Sequence, residues 1–175
     1  MLAKNQNGYK NLAKISSIAF TEGYYYKFPR IDKEIIKQYS ADIICLSGGQ
    51  RGIIADLVLN KGEAFAEEEL LWWKDILEVM NHGLDEELRV NEVFREFSRK
   101  HDVKLVASNN AFYLEKEDSA AHDALICIDS GTLVSTPIGR GRDFRYGFPN
   151  KEFYFKTTAE MLELFPEMPE AVTNR

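Results

Sequence analysis

Ile43-Ile44-Cys45-Leu46-Ser47-Gly48-Gly49-Gln50-Arg51-Gly52-Ile53-Ile54-Ala55-Asp56-Leu57-Val58-Leu59 carries the pattern that decides the fold. Four apolar residues in a row, Ile43 to Leu46, predict a short strand of the kind buried on both faces in α/β proteins. Gly48-Gly49 supplies a tight turn. Apolar residues then recur at helical spacing from Ile53 to Leu59. Strand, glycine turn and helix in that order make one unit of an α/β domain.

Upstream of this unit, Asn7-Gly8 can open a helix whose inward face is Tyr9, Leu12, Ile15 and Ile18-Ala19, with Gly23 closing it. Tyr24-Tyr25-Tyr26 reads as a loop, Pro29 as a breaker, and Asp32 as the N-cap of a short helix from Lys33 to Tyr39. Downstream, a helix is predicted from Ala64 to Lys74. Ile76 to Met80 fits a strand or the tail of that helix. Asp85 can cap a long helix to Lys100, with Val90, Val93, Phe94 and Phe97 facing inward. Lys104 to Ser108 is a second buried-type strand, and Glu117 to Ile128 a helix. Residues 130–150 are rich in Gly, Arg and Pro and read as a long loop, which in a compact domain is usually functional or mobile. Glu152 to Lys156 is predicted to be a strand. Thr157-x-x-Glu160 forms a capping box for a last helix that Pro166 stops. The alternation points to parallel pairing.

The chain has 175 residues, one domain's worth, and a net charge of -6. A whole-surface nucleic-acid binder is usually basic, so this chain alone is not expected to grip DNA strongly. There is no apolar run long enough for a membrane span, and no h-region follows Lys4 to make a signal peptide. Cys45 and Cys127 lie in apolar runs, as buried thiols in a reducing, cytoplasmic compartment would.

Leu46-Ser47-Gly48-Gly49-Gln50-Arg51 looks like the signature sequence of ABC-transporter ATPases. That chemistry also needs a Walker A lysine loop, which is absent, and the apolar segment after the turn is helical. Metal chemistry needs clustered His, Cys, Asp or Glu, but the histidines are His82, His101 and His122, with no H-x-H, H-E-x-x-H or C-x-x-C. His82 follows the possible strand at Ile76 to Met80, where barrel enzymes place ligands. Alone it is more often a hydrogen-bonded structural residue. His101 suits the end of a helix beside Lys100. His122-Asp123 reads as a local packing or hydrogen-bonding pair. Arg140-Gly141-Arg142-Asp143-Phe144-Arg145-Tyr146 interleaves cations and aromatics, so Arg140, Arg142 and Arg145 are candidate DNA contacts. The bland reading is a solvated loop.

An ordered set of stretches resembles the PHP domain of the bacterial DNA polymerase III alpha subunit. It comprises Leu2-Ala3-Lys4-Asn5 with Gly8-Tyr9-Lys10-Asn11-Leu12, then Ala19 to Tyr24, Pro29-Arg30-Ile31-Asp32 and Ser47-Gly48-Gly49. It continues with Val106 to Asn110, Ala121-His122-Asp123 through Ile128, Phe153 to Lys156, Glu160-Met161 with Leu164-Phe165, and Pro169-Glu170-Ala171 with Asn174. The resemblance implies an α/β fold, a partial PHP domain: a distorted (β/α)7 TIM-like barrel lacking its first strand. It implies one domain over residues 1–175, with 157–175 leading toward a following domain. The family's metal cluster sits at the C-terminal strand ends. Here the expected cysteine is Gly49, the expected aspartate Asn110 and the expected histidine Phe112, and the family's H-x-H motif lies upstream of this chain.

His82 and Glu78 alone remain at ligand-like positions, so no complete metal site, no catalytic residue and no cofactor are expected for the chain itself. The parent polymerase would use Mg2+. The implied role is structural, with other polymerase III subunits, the proofreading exonuclease subunit among them, and DNA as partners through the parent chain. The other readings are a metal-dependent phosphoesterase or 3'-5' exonuclease, and a nucleotide-binding protein using Ser47 to Gly52. A barrel missing a strand exposes a sheet edge, so association or marginal stability is expected.

Overall fold

The computed structural model describes residues 1–73 and 76–174. The chain opens with β1 (Leu2–Ala3), which leads into α1 (Gln6–Thr21). The Asn5 side chain starts this helix by accepting the N–H groups of Asn7 and Gly8. α1 buries Ile15 and Ala19, whereas Tyr9, expected inward, is exposed. Gly8 allows the helix to press on a neighbouring turn: a Cβ there would lie 2.0 Å from the Asp42 carbonyl oxygen. Gly23 does not close the helix in a left-handed conformation. A Cβ on it would fall 1.9 Å from the Arg30 oxygen, so its role is close backbone approach.

The expected tyrosine loop is a hairpin instead. β2 (Tyr24–Tyr25) pairs antiparallel with β3 (Phe28–Pro29). Its turn residues Tyr26 and Lys27 have φ of 51° and 72°. Two positive φ values match the twist of a tight hairpin, but without Asn or Gly the sequence does not announce it. Pro29 is tolerated because the strand is an edge. Asp32 caps α2 (Lys33–Tyr39) as expected.

β4 (Ile43–Ile44) pairs antiparallel with β1, Leu2 opposite Ile44 and Ala3 opposite Ile43. Ile43 is buried but Ile44, Cys45 and Leu46 are half-buried, so this strand is not covered on both faces. Cys45 is therefore only partly enclosed, while Cys127 is buried. A single parallel bridge from Leu46 to Ile76 then carries the chain beside the next strand. A 3-10 turn (Gly49–Arg51), α3 (Ile53–Asn60) and α4 (Glu63–Trp73) intervene. Lys74, the expected end of α4, lies outside the described residues.

Ile76 to Met80 is resolved as strand: β5 (Leu77–Val79) runs parallel to β6 (Leu105–Ala107), Leu77 opposite Leu105 and Val79 opposite Ala107. The crossover between them is α5 (Asp85–His101), the β-α-β connection that the alternation predicted. Asp85 is the first residue of α5 and not its cap. That position is Leu84, which has no capping side chain. α6 (Ser119–Ser130) follows. Among the described residues, 131–150 hold no helix or ladder, only a bridge between Ile138 and Arg145.

Glu152 to Lys156 is not a strand. Tyr154 makes one parallel bridge to Tyr113, flanked by bonds from the Phe112 N–H to the Phe153 carbonyl and from the Phe155 N–H to the Tyr113 carbonyl. α7 (Thr158–Leu164), with the expected capping box of Thr157 and Glu160, and α8 (Pro169–Thr173) end the chain.

The core lies between the β5-β6 pair and the helices packed on it. Val58, Leu70, Leu77, Val79 and Phe94 are fully enclosed, and Val90, Val93 and Phe97 join them on the inward face of α5. Phe165, Met168 and Ala171 complete the same cluster, and the Asn174 side chain donates to the Leu105 carbonyl at 2.9 Å. Met161, Leu164 and Val172 pack against it from the same stretch. The strands form three two-stranded sheets, and the described residues contain no closed barrel.

Candidate functional site

His82 sits just beyond the C-terminal end of β5, in the turn that enters α5. It is 1% exposed, and every polar group on it has a partner. The Asn110 backbone N–H approaches His82 Nε2 at 3.2 Å. An amide only donates, so Nε2 must accept, and the ring proton belongs on Nδ1. Nδ1–H then donates to Glu87 Oε1 at 2.8 Å, and the His82 backbone N–H donates to Glu87 Oε2 at 2.6 Å.

Glu87 lies in the first turn of α5, where the helix N-terminus favours a carboxylate. Its carboxylate reaches back past Leu84 and ties the His82 turn to the start of α5. The imidazole stacks on Phe153, with centroids 4.4 Å apart and planes 8° from parallel. Asn150 donates to the His82 carbonyl at 2.7 Å and Asn91 to the Met80 carbonyl at 2.8 Å, so both flanks of the turn are pinned.

Of the other residues singled out by sequence, Asn110 meets His82 only through its backbone. Gly49 is buried at φ 53°, and a Cβ there would lie 2.6 Å from Met80 Cε. The space a ligating side chain would need at 49 is filled by the Met80 thioether. Phe112 packs against Phe148 with centroids 4.7 Å apart. Glu78 is half-buried on β5, and its backbone N–H donates to Ser47 Oγ at 2.8 Å. Among the described residues, no group of three or more His, Cys, Asp or Glu is placed to hold a metal ion. The donor set therefore does not fit a metal cluster.

These elements border a cleft of about 670 Å³ between the glycine turn, the β5-α5 turn and the loop before α7. Arg51, Arg140, Asn110, Phe112, Tyr146 and Phe148 are among its walls. Among the described residues Glu87 is the one acidic group lining it, and His82 occupies that carboxylate.

The three candidate arginines separate. Arg145 is buried, and its guanidinium forks onto Asp123 at 2.6 and 2.8 Å while Nε–H donates to the Thr136 carbonyl. The guanidinium holds the Asp123 carboxyl below the usual carboxylate range, and the carboxylate in turn raises Arg145. Arg145 is an internal strut of the 130–150 loop, which corrects its reading as a DNA contact. Arg140 and Arg142 are exposed.

Among the described residues His122 and Asp123 make no hydrogen bond to each other. Asp123 serves Arg145, and His122 packs among Phe112, Tyr113 and Phe148. His101 contacts Glu67 at 2.5 Å, which also binds Lys100. Sequence reasoning missed Glu87 and Phe153. A carboxylate three residues into a helix whose cap position is leucine was the available sign for Glu87. Nothing local signalled Phe153.

Beside the cleft, Tyr154 donates to Glu160 Oε1 at 2.6 Å. That bond, with those from Thr157, pulls the Glu160 carboxyl down to about 2, and Glu160 with burial pushes the Tyr154 phenol up to about 12. Burial lowers Lys156, whose ammonium lies against the Glu152 carbonyl and 4.3 Å from the Tyr154 ring centroid.

A strand-end cleft after parallel strands is the place where β/α domains put their sites, and sequence comparison agrees on the class. Residues 1–85 match the PHP domain family model. The chain is 39% identical to the DNA polymerase III subunit alpha of Borreliella burgdorferi over 180 aligned residues, covering 99% of this chain and 15% of that protein. The Thermus aquaticus subunit is 40% identical, with 95% and 14% covered, and the Treponema pallidum subunit 39%, with 99% and 15% covered. The chain belongs to the PHP-domain family of bacterial DNA polymerase III alpha subunits. It spans about 15% of the length of those relatives. No helix among the described residues is long and apolar enough to cross a membrane.

Proposed function

We propose that this chain is the PHP region of a replicative DNA polymerase and works there as a scaffold. In this reading it is a single domain built on a partial, distorted (β/α)7 TIM-like barrel, its metal site is eroded, and its surfaces support the polymerase core and the proofreading exonuclease subunit in the cytoplasm. DNA-directed DNA synthesis, with its acidic residues and Mg2+, would reside elsewhere in the parent chain.

The observation that carries the scaffold reading is the closed hydrogen-bond set of His82. Nδ1 is protonated toward Glu87 and the Nε2 lone pair is taken by Asn110 N–H, so the ring has no electron pair left for a cation. Gly49 and Phe112 offer no side-chain donor atom, and an Asn110 carboxamide ligates weakly compared with a carboxylate. Glu78 has no partner in this set.

Metal analysis of the purified chain combined with a nuclease assay tests the proposal. The expected result is no stoichiometric zinc or manganese and no hydrolysis of a single-stranded oligonucleotide. Bound metal together with 3'-5' exonuclease or phosphoesterase activity that His82→Ala abolishes would overturn it in favour of a hydrolytic PHP site.

A further inference from the structure

The charge of this chain is not spread evenly. All but one of its 28 acidic residues lie beyond residue 30, while Lys4, Lys10, Lys14, Lys27 and Arg30 stand against Glu22 alone before it. Cations gathered on one segment make a local positive field in a chain of net charge -6. On α1, Lys10 and Lys14 lie one turn apart, away from the buried side of Ile15 and Ala19. Among the described residues the side chains of Lys10, Lys14 and Lys27 have no hydrogen-bond, ion-pair or ring partner. Arg30 has the Tyr25 ring, whose centroid is 5.1 Å from its guanidinium carbon.

The hairpin that follows α1 adds an aromatic half to this surface. Tyr26 is 83% exposed, and Phe20, Tyr24, Tyr25 and Phe28 each keep more than half of their surface open. The rings form one connected group. Phe20 stacks on Tyr24 with centroids 6.1 Å apart and planes 20° from parallel, and Tyr25 and Tyr26 lie 5.7 Å apart. Tyr25 stands opposite Phe28 in the hairpin register. The two turn residues, Tyr26 and Lys27, hold φ of 51° and 72°, which glycine or asparagine would adopt with less strain. A strained turn is thus kept with a tyrosine and a lysine displayed at its tip. Open apolar rings grouped in this way mark an interaction surface.

We infer that the outer face of α1 and the β2-β3 hairpin bind an unpaired nucleic-acid strand. Bases stack on Tyr26 and on the Phe20–Tyr24 pair, and phosphates meet Lys10, Lys14, Lys27 and Arg30. The charge selects a polyanion, and the rings select among polyanions. An acidic peptide supplies carboxylates without planar faces, and a duplex keeps its base faces closed in its own stack. A single strand offers both phosphates and open faces, and stacking on aromatic rings tolerates any base. None of these residues lines the strand-end cleft. Binding here needs no metal and no catalytic group. It goes beyond the scaffold role, and a scaffold without it remains a scaffold, so the two readings fail separately.

The test is fluorescence anisotropy of a labelled twenty-nucleotide oligothymidylate, titrated with the 175-residue chain in chelator at low salt. Saturable binding is expected, tighter than for a duplex of the same length. Tyr26→Ala and Phe20→Ala, both at exposed rings, should each weaken it about tenfold while circular dichroism stays that of the parent. With four cations at phosphates, the logarithm of the affinity should fall against that of the salt concentration with a slope of about -3. Combining Lys27→Gln with Arg30→Gln should bring the slope to about -1.5.

Competition separates the classes of partner: unlabelled oligothymidylate should displace the probe at far lower concentration than poly-L-glutamate of equal charge. Equal competition by poly-L-glutamate overturns the inference in favour of an acidic protein segment. It is also overturned if the ring variants bind as the parent does, if Arg140→Gln weakens binding and they do not, or if no saturation is reached by about 1 mM chain.

Discussion

Glu87→Ala removes one carboxylate that satisfies two buried donors, the His82 backbone N–H and its Nδ1–H. The backbone donor cannot rotate away, and at 1% exposure water does not reach His82. An orphaned buried donor costs about 1–3 kcal/mol. The two donors orphaned together therefore cost about 3–5 kcal/mol.

Set against a domain stability of about 5–15 kcal/mol, that is a large fraction. In urea, with a slope of about 2 kcal/mol/M, the midpoint should fall by about 1.5–2.5 M at unchanged slope. Glu87→Gln keeps one acceptor oxygen and should fall between parent and alanine. The double variant His82→Ala/Glu87→Ala should cost less than the sum of the singles, by about 0.5–3 kcal/mol, because each single already breaks the shared bond. A Glu87→Ala midpoint within error of the parent, or strict additivity, would refute the claim that this pair locks the turn at the strand ends.

Phe94→Ala, at a side chain enclosed by the central cluster, should cost about 3–5 kcal/mol by the same urea titration. Gly8→Ala should lower the melting temperature although alanine is the better helix former, because its Cβ would meet the Asp42 carbonyl at 2.0 Å. Asp123→Asn should loosen the 130–150 loop by leaving Arg145 buried without its counter-charge, seen as faster limited proteolysis there with α5 and the core still protected. The Tyr154–Glu160 bond sets a pH window. Glu160 is lowered to about 2, so its contribution is complete above the ordinary carboxylate range and is lost as pH falls toward 2; Tyr154 is raised to about 12, so its contribution is complete below about 10 and is lost as pH rises toward 12. The melting-temperature difference between the parent and Tyr154→Phe should therefore be widest from about pH 5 to 10 and shrink on either side.

Much of this was legible along the chain. The family followed from an ordered set of matching stretches. The inward face of α5 followed from the spacing of Val90, Val93, Phe94 and Phe97, because helical period alone selects a face. Asp32 and the Thr157–Glu160 box marked helix starts because a cap is a contact between residues three apart. Glu152 to Lys156 was misread because aromatic alternation looks like a strand, whereas a strand needs a neighbour with free backbone groups along its length. Tyr113 offers one such bridge.

The candidate site divides along the same line. Sequence by itself determined residue identity: glycine at 49, asparagine at 110 and phenylalanine at 112, the positions where the resemblance leads one to expect ligands. Only the tertiary structure decided what the remaining groups do. His82 meets Asn110 and Phe153 across 28 and 71 residues of chain, and Arg145 meets Asp123 across 22. Which nitrogen of His82 carries the proton, and whether an arginine faces the cleft or the core, depends on partners that are neighbours in space and not in sequence. Hydrogen bonds and ion pairs are short-range contacts, and folding alone chooses which distant groups come within their reach.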